Sequence, residues 1–279
     1  MLNQIFCVLF KLRRQSRGIY HRLPLAALMA ILLFTCFQVQ GVSAFGSLES
    51  SGGNIHAEIT KDALGGIFSP ANLKIIVDAN ESQDKPGTEA QGEQRRHFGE
   101  MQLMSSLGYI DREKKRALNY AAESDTDTES RGYALRHLGE FLHAVQDFYS
   151  RTNYVELMLK LPECKADPYQ IPLVDWQKVA VGYPGLESCH IRAGVAADQA
   201  ERAAMIVKDS PSAPGGARIV TGKITYFQVA RELAVRETQR QWNQFEAMLR
   251  NRCGPRAAAV IAAIKEASPE LAASPEKEE

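Results

Sequence analysis

The sequence contains little cysteine and no excess of charge of either sign. Five cysteines occur in 279 residues and none are spaced Cys-x-x-Cys, so a zinc site built from paired thiolates is not expected. Lysine and arginine total 33, as do aspartate and glutamate. Proteins that hold duplex nucleic acid by charge need a basic surface, so no double-stranded nucleic acid partner is expected.

The chain also lacks a convincing run of alternating polar and apolar residues, and it shows no internal repeat. Helical periodicity is present instead, and hydrophobic residues make up 45% of the chain, enough for a substantial core. The segments predicted to be helical include IHAEITKDAL, ANLKIIVDAN, DREKKRALNYAAE, GVAADQAERAAMIV and the stretch from Ile224 to Leu249, which Gly254-Pro255 should break. The prediction is an all-α, multi-helix bundle.

The balance of charge hides an uneven distribution. Five basic residues precede the first acidic residue, Glu49, and without them 28 basic side chains face 33 acidic ones, a net of −5. The 17 uncharged residues LPLAALMAILLFTCFQV follow this basic start, and Val42-Ser43-Ala44 has the form of a signal-peptidase site. We predict a signal peptide over 1–44 and export to the periplasm or outside the cell. An uncleaved membrane anchor is the alternative, since 17 residues is close to the lower limit of a span.

Beyond the leader, residues 45–268 are predicted to form one helical domain and residues 269–279 a disordered tail. This part of the chain keeps three cysteines, Cys164, Cys189 and Cys253. Cys164 and Cys189 flank an irregular, proline-rich segment, which a disulfide between them would close in an oxidising compartment. A different pairing that includes Cys253 stays open.

One apolar stretch, LGEFLHAVQDFYSRTNYVEL (138–157), carries a histidine and an aspartate one helical turn apart. His143 and Asp147 stand at i and i+4, which brings their side chains to the same face about 5–6 Å apart. Gly139, one turn earlier, leaves room beside them. Such a pair is either structural or part of a metal site, because neutral imidazoles and carboxylates are zinc ligands.

The same stretch resembles the signature of the Het-C family, in which leucine-histidine is followed by QDFYS and then NYVEL. The segments GNIHAEIT and RRHF match more loosely, while the C-terminal half is matched by helical character alone. Het-C proteins are similar to the superfamily of zinc-dependent phospholipases C and single-strand zinc nucleases. The resemblance therefore implies an all-α bundle of the phospholipase C type with a metal cluster in a cleft.

The resemblance also implies a set of metal ligands, which fall on Phe45, His56, Asp84, His97, His143 and Asp147. Asp147 would bridge two zinc ions. Phe45 would contribute its amine and carbonyl only after the signal peptide is removed, and His56 would join it. Asp84 and Asp147 are the implied catalytic residues, and Asp84 could also act as the general base.

The sequence departs from the superfamily pattern after Asp147. Asn153 stands where the superfamily has a histidine, and Arg151 stands where Het-C relatives often have one. Both are candidates for binding substrate, although Arg151 could instead pair with Asp147. The role of His190 is open, and His137 is interpreted as a packing or surface residue.

The function implied is an exported hydrolase of phosphodiester bonds, in which a metal-bound hydroxide attacks phosphorus. Phospholipid is the first substrate expected, with contact to a membrane surface, and single-stranded nucleic acid is the second. One alternative is a non-catalytic Het-C domain for recognition or toxicity that has lost part of the metal cluster. Another is a structural protein kept on the membrane by an uncleaved leader. Metal content separates the first alternative from the hydrolase.

Overall fold

The computed structural model describes residues 55–84, 94–99, 102–189 and 197–266. The predicted signal peptide, Phe45, His190 and the predicted disordered tail lie outside these residues, so the predictions made for them stay predictions. All described residues belong to one structural unit. None of the helices in the described part of the chain is long and apolar enough to cross a membrane.

The described chain is 72% helical and 4% strand, which confirms the predicted all-α character. In chain order the α-helices are α1 (Ile55–Leu64), α2 (Pro70–Glu81), α3 (Leu103–Ala121), α4 (Thr128–Arg151), α5 (Tyr154–Met158), α6 (Pro162–Ala166), α7 (Trp176–Val181), α8 (Ala197–Ile206), α9 (Tyr226–Cys253) and α10 (Ala257–Lys265). Short 3-10 turns lie at Ser82–Asp84, Gln94–Arg96, Pro168–Gln170 and Gly254–Arg256.

Strand was not predicted, and the described residues contain one small antiparallel hairpin. Strands β1 (Ile219–Thr221) and β2 (Ile224–Thr225) pair in the register Ile219↔Thr225 and Thr221↔Ile224. Gly222 turns the chain between them at a φ of 55°, a backbone region that glycine enters without strain. Strands of three and two residues are too short to show an alternating pattern, which is why the sequence did not reveal them.

Capping residues set where several helices begin and end. Asp127 starts α4, since its carboxylate accepts hydrogen bonds from the backbone N–H groups of Glu129 (3.0 Å) and Ser130 (3.2 Å). Thr225 and Gln228 form a capping box at the start of α9. Gly254, at a φ of 54°, ends α9 where the sequence predicted the break.

Helix α4 lies at the centre of the molecule and packs against α2, α3 and α9. Every residue of α4 from Phe141 to Arg151 is buried, so this segment is enclosed on all sides rather than on one apolar face. His143 and Asp147 therefore lie inside the core. Polar groups in that position need partners, because an unpaired buried polar group costs about 1–3 kcal/mol.

Helices α2 and α4 approach unusually closely at Gly139. A Cβ atom placed on Gly139 would lie 2.3 Å from the carbonyl oxygen of Ile76, 2.9 Å from Ala79 Cβ and 3.0 Å from the backbone nitrogen of Asn80. Only glycine fits at such a distance. The space that the sequence left beside His143 is thus filled by α2, which brings Asn80 to the histidine.

The apolar segment 138–157 is not one continuous helix, because it is interrupted at Thr152. Helix α4 ends at Arg151, and Thr152 turns into extended backbone that pairs with Ser188. The carbonyls of Ser150 and Arg151 accept hydrogen bonds from the backbone N–H groups of Lys208 (2.8 Å) and Cys189 (2.7 Å). Two distant loops thus satisfy the end of α4, and the helix stops there.

The disulfide predicted between Cys164 and Cys189 is not formed, since Cys164, Cys189 and Cys253 are all free in the structure. The first two thiols are buried in different surroundings. Cys189 is fixed beside Arg151 by its backbone hydrogen bond, whereas Cys164 lies on α6. Burial raises the pKa of both thiols, so neither is a ready nucleophile.

Candidate metal centre

Four segments of the chain bring five of the predicted ligands together. His56 lies in the first turn of α1, Asp84 in the 3-10 turn after α2, His97 just after the turn Gln94–Arg96, and His143 and Asp147 on α4. The three histidines and Asp147 are at most 3% exposed, and the Asp84 side chain is 7% exposed. Phe45, the sixth predicted ligand, lies outside the described residues.

Four side-chain atoms of the candidate ligands lie close together around His143 Nε2. His143 Nε2 lies 2.9 Å from His97 Nδ1 and 3.3 Å from Asp147 Oδ2, and His97 Nδ1 lies 3.0 Å from Asp147 Oδ2. Asp84 Oδ1 lies 3.8 Å from His97 Nδ1 and 3.7 Å from His143 Nε2. Tetrahedral zinc with bonds of about 2.0–2.1 Å places its ligand atoms about 3.3–3.4 Å apart. The measured distances bracket that value.

The remaining carboxylate oxygens face His56. His56 Nε2 lies 3.2 Å from Asp147 Oδ1 and 3.8 Å from Asp84 Oδ2. Each aspartate therefore presents one oxygen to the pair His97 and His143 and the other oxygen to His56. These residues could hold a metal ion, and two carboxylates that each face two positions suit a pair of ions.

Two buried amides fix the histidines in the tautomer that binds metal. The Nδ1 atom of His143 lies 3.1 Å from Asn80 Oδ1, and the Nδ1 atom of His56 lies 2.7 Å from Gln146 Oε1. An amide oxygen can only accept, so each Nδ1 carries the proton and donates it. The Nε2 lone pairs of both rings are then directed at the carboxylates, where a metal ion would bind.

The Gln146 amide is itself held by partners on other helices. Its Nε2 donates to the hydroxyls of Thr60 (3.0 Å) on α1 and Thr238 (3.2 Å) on α9. Its Oε1 also accepts a hydrogen bond of 3.2 Å from Asn80 Nδ2 on α2. One side chain on α4 thus joins α1, α2 and α9 around the histidines.

The charges in the site favour a bound cation. Burial, together with the neighbouring His56, lowers the pKa of His143 to about 4, so its imidazole is neutral at pH 7. Burial alone would raise the pKa of Asp147, but the three histidines hold it well below its usual range. Burial alone would lower the pKa of His56, but Asp147 and Asp84 raise it. The two carboxylates thus attract positive charge to this point.

Several ligand atoms are left without a hydrogen bond, which a metal ion would remedy. Among the described residues, neither carboxylate oxygen of Asp84 has a hydrogen-bond partner, although both atoms are buried. The nearest imidazole nitrogens, at 3.7–3.8 Å, are too distant to donate. A buried carboxylate without partners is costly, and coordination is a common way to satisfy it. The residues present therefore fit a metal ion.

The backbone is strained at the residue that follows the candidate ligand His97. Phe98, next to His97, has a φ of 50°, which is uncommon for a residue with a side chain. Its ring is fully buried and packs edge-on against Phe148 at 5.4 Å. Phe148 in turn follows Asp147, so this aromatic contact holds the two ligand-bearing segments against each other.

Arg151 lies one turn beyond Asp147 and is 5% exposed. Burial would lower the pKa of its guanidinium, but the neighbouring Asp147, Cys189 and Asp209 raise it, so Arg151 stays charged. Asn153 uses its side chain differently. Its Nδ2 donates to the Gly185 carbonyl (3.0 Å), and its Oδ1 accepts from the Glu187 N–H (2.8 Å). Asn153 thus fixes the loop before Cys189.

Asp209 is a buried carboxylate near the site that the sequence did not single out. It follows Lys208, whose backbone N–H binds the Ser150 carbonyl at the end of α4. Burial raises the pKa of Asp209 to about 6, while the Arg151 charge opposes the shift and the Asp147 charge adds to it. Asp209 is therefore within electrostatic reach of both Arg151 and Asp147.

The sequence also gave no role to Asn80, Gln146, Thr60 or Thr238. Gln146 could have been found, since it precedes Asp147 on the same buried helix and lies three residues after His143. The other three side chains reach the site only through helix packing. Comparisons of the chain with protein-family models, with curated proteins and with solved structures found no match.

Proposed function

We propose that this protein is an exported, zinc-dependent hydrolase of phosphodiester bonds that resembles phospholipase C. The observation that carries the proposal is the arrangement of Asp84 and Asp147. Each carboxylate offers one oxygen to His97 and His143 and the other to His56. The Het-C resemblance of the segment around His143 adds the expected substrate class.

In this proposal Asp84, His97, His143 and Asp147 would hold one zinc ion, and His56 together with the N-terminal Phe45 would help to hold a second. Bound zinc supplies Lewis-acid chemistry, which makes water more acidic and stabilises charge that develops on phosphate oxygens.

The protein's own groups orient and balance this site. Asn80 and Gln146 keep the histidine Nε2 atoms directed inward. Asp84 is the group best placed to accept a proton from water, because neither of its carboxylate oxygens has a hydrogen-bond partner among the described residues. Arg151 stays charged and would bind a phosphate oxygen through charge-assisted hydrogen bonds.

The non-catalytic recognition domain is the second candidate function. It is favoured by Arg151 and Asn153, because the family resemblance implies a histidine at each of these two positions. Asn153 is occupied with Gly185 and Glu187, and Arg151 lies among Asp147, Asp209 and Cys189. A third zinc ion therefore has no ligands among these residues.

The first experiment is to measure the metal content of protein that begins at Phe45 and of the same protein with one extra N-terminal residue. We expect about two zinc ions per chain in the first and loss of one in the second, because an amide nitrogen cannot replace the free amine. Hydrolysis of phosphatidylcholine vesicles, a soluble phosphodiester and a single-stranded oligonucleotide should then be assayed. Asp147→Asn, which keeps the volume and loses the shared ligand, should lack both zinc and activity.

The outcomes separate the candidates. Absence of stoichiometric zinc from both forms would remove the hydrolase proposal and leave the recognition domain. Two zinc ions without hydrolysis of any of the three substrates would favour a metal-stabilised recognition domain. Equal zinc content in the two forms would remove only the role of the Phe45 amine.

A further inference from the structure

A second polar pocket, of about 260 Å³, lies between α3, the middle of α4 and the two 3-10 turns that precede α3. Its charged walls consist of four arginines and two glutamates, Arg95, Arg96, Arg112, Arg116, Glu113 and Glu140. We call this the arginine pocket. Its wall also includes Gln83, next to the predicted ligand Asp84, and Arg96 is next to His97. The pocket thus adjoins the metal centre but uses different side chains.

Two kinds of ligand could be considered for the arginine pocket. Glu113, His137 and Glu140 have ligand atoms within 4.8 Å of one another, which is close enough to hold a metal ion. Glu113 is already engaged, however. Its Oε1 accepts from Arg112 Nε at 2.8 Å, and its Oε2 lies 3.1 Å from His137 Nδ1 and 3.3 Å from an Arg116 nitrogen. Four guanidinium groups against two carboxylates would also repel a dication.

The same charges suit an anion. The four arginines in its wall exceed the two glutamates by two positive charges. The buried Nε of Arg95 has no hydrogen-bond partner among the described residues. Arg112 donates its Nε–H to Glu113 and lies over the Tyr109 ring at 5.1 Å, which fixes the plane of its guanidinium. A fixed arginine fork matches the geometry of phosphate oxygens.

The size of the pocket also bears on the ligand. At about 260 Å³ it is smaller than the roughly 300–1,000 Å³ typical of sites for drug-sized molecules. We propose that the arginine pocket binds a phosphate group, either as free phosphate or as the phosphate of a small ester such as a lipid head group. This proposal does not depend on the metal centre or on hydrolysis.

Titration of inorganic phosphate into zinc-free protein by calorimetry tests the proposal, because phosphate then has no metal to bind. One phosphate per chain is expected. Arg95→Gln and Arg112→Gln should each weaken binding about tenfold or more, which corresponds to about 1.4 kcal/mol. Arg252→Gln, at an exposed position outside the pocket, makes the same change of charge and should leave phosphate affinity unchanged.

Glu113→Gln distinguishes an anion site from a metal site by the sign of its effect. In an anion site it removes a negative charge that opposes phosphate, while the amide oxygen can still accept the hydrogen bond from Arg112, so phosphate should bind more tightly. In a metal site it removes a ligand. A zinc ion that binds independently of Asp147, and whose binding is lost in Glu113→Gln, would overturn the proposal. Failure of the unaltered protein to bind phosphate would overturn it as well.

Two further titrations identify the source of the phosphate. Glycerophosphocholine carries a phosphodiester as lipid head groups do, whereas inorganic phosphate is the free ion. Tighter binding of the diester would indicate a lipid head group, and tighter binding of the ion would indicate free phosphate. Either result supports the pocket as a phosphate site, provided that Arg95→Gln weakens it.

Discussion

Replacing Gly139 by alanine should damage the metal centre without touching a ligand. The new Cβ would lie 2.3 Å from the Ile76 carbonyl oxygen, whereas ordinary contact begins at 3.4 Å. Helix α2 must therefore withdraw by about 1 Å, and forced rearrangements of a packed core cost about 1–3 kcal/mol. Asn80 moves with α2, which stretches its 3.1 Å contact with His143 Nδ1 beyond hydrogen-bonding distance.

The loss of this support should be visible in zinc affinity. Removal of an outer hydrogen bond to a metal-binding histidine lowers affinity about tenfold to a hundredfold. Urea unfolding of zinc-free protein would measure the loss of stability, and a competition titration with a chelator would measure zinc affinity. We expect Gly139→Ala to lower both.

A matched control lies on the same helix. A Cβ on Gly132 would meet no atom within 4 Å, so Gly132→Ala should raise stability by up to about 1 kcal/mol through helix propensity alone. Its zinc affinity should equal that of the unaltered protein. If Gly139→Ala proved as stable as Gly132→Ala, or bound zinc as tightly, the close approach of α2 would not be what positions His143.

Two other substitutions test the buried polar groups around the site. Gln146→Leu keeps most of the side-chain volume but removes the hydrogen bonds to His56, Asn80 and two threonines. In urea titrations it should lower the free energy of unfolding by about 3 kcal/mol or more. The control Gln244→Leu, at an exposed position on α9, should have little effect in the same titration. Asp209 has a folded pKa of about 6 against 3.8 when unfolded, so zinc-free protein should lose stability as pH rises between those values. At about 1.36 kcal/mol per pKa unit, the full loss of unfolding free energy is about 3 kcal/mol. Urea unfolding at pH 4 and pH 7 measures most of it. A similar loss in Asp209→Asn would show that Asp209 is not its source.

Periodicity and spacing predicted much of this molecule. The segments that became α1, α2 and α9 were recognisable from their apolar stripes and breaking residues, because both depend on local sequence. His143 and Asp147 were recognisable for the same reason, being one turn apart on one helix. His56, Asp84 and His97 were named only through the Het-C resemblance, since nothing local links residues so far apart in the chain.

The structural features that could not be predicted from the sequence depend on packing between distant segments. Asn80 reaches His143 only because Gly139 lets two helices meet, and Asp209 approaches Arg151 only because Lys208 binds the end of α4. The break at Thr152 is hidden for a similar reason, since the partners that stop the helix lie at Cys189 and Lys208. Each of these features requires contacts between segments tens of residues apart.

The contacts of Gln146 bear on when a metal ion can bind relative to folding. Because this amide joins α1, α2, α4 and α9, undocking any of these helices would remove a hydrogen bond that helps to position the candidate ligands. Under the proposed function, a metal ion would therefore bind most tightly after these helices have docked. A ligand that binds only the folded chain adds about 2.7 kcal/mol when present at a hundred times its dissociation constant. If the candidate site binds a metal ion as proposed, molecules that fold where that metal is scarce would have the same architecture but would open, and be cleaved by proteases, more often.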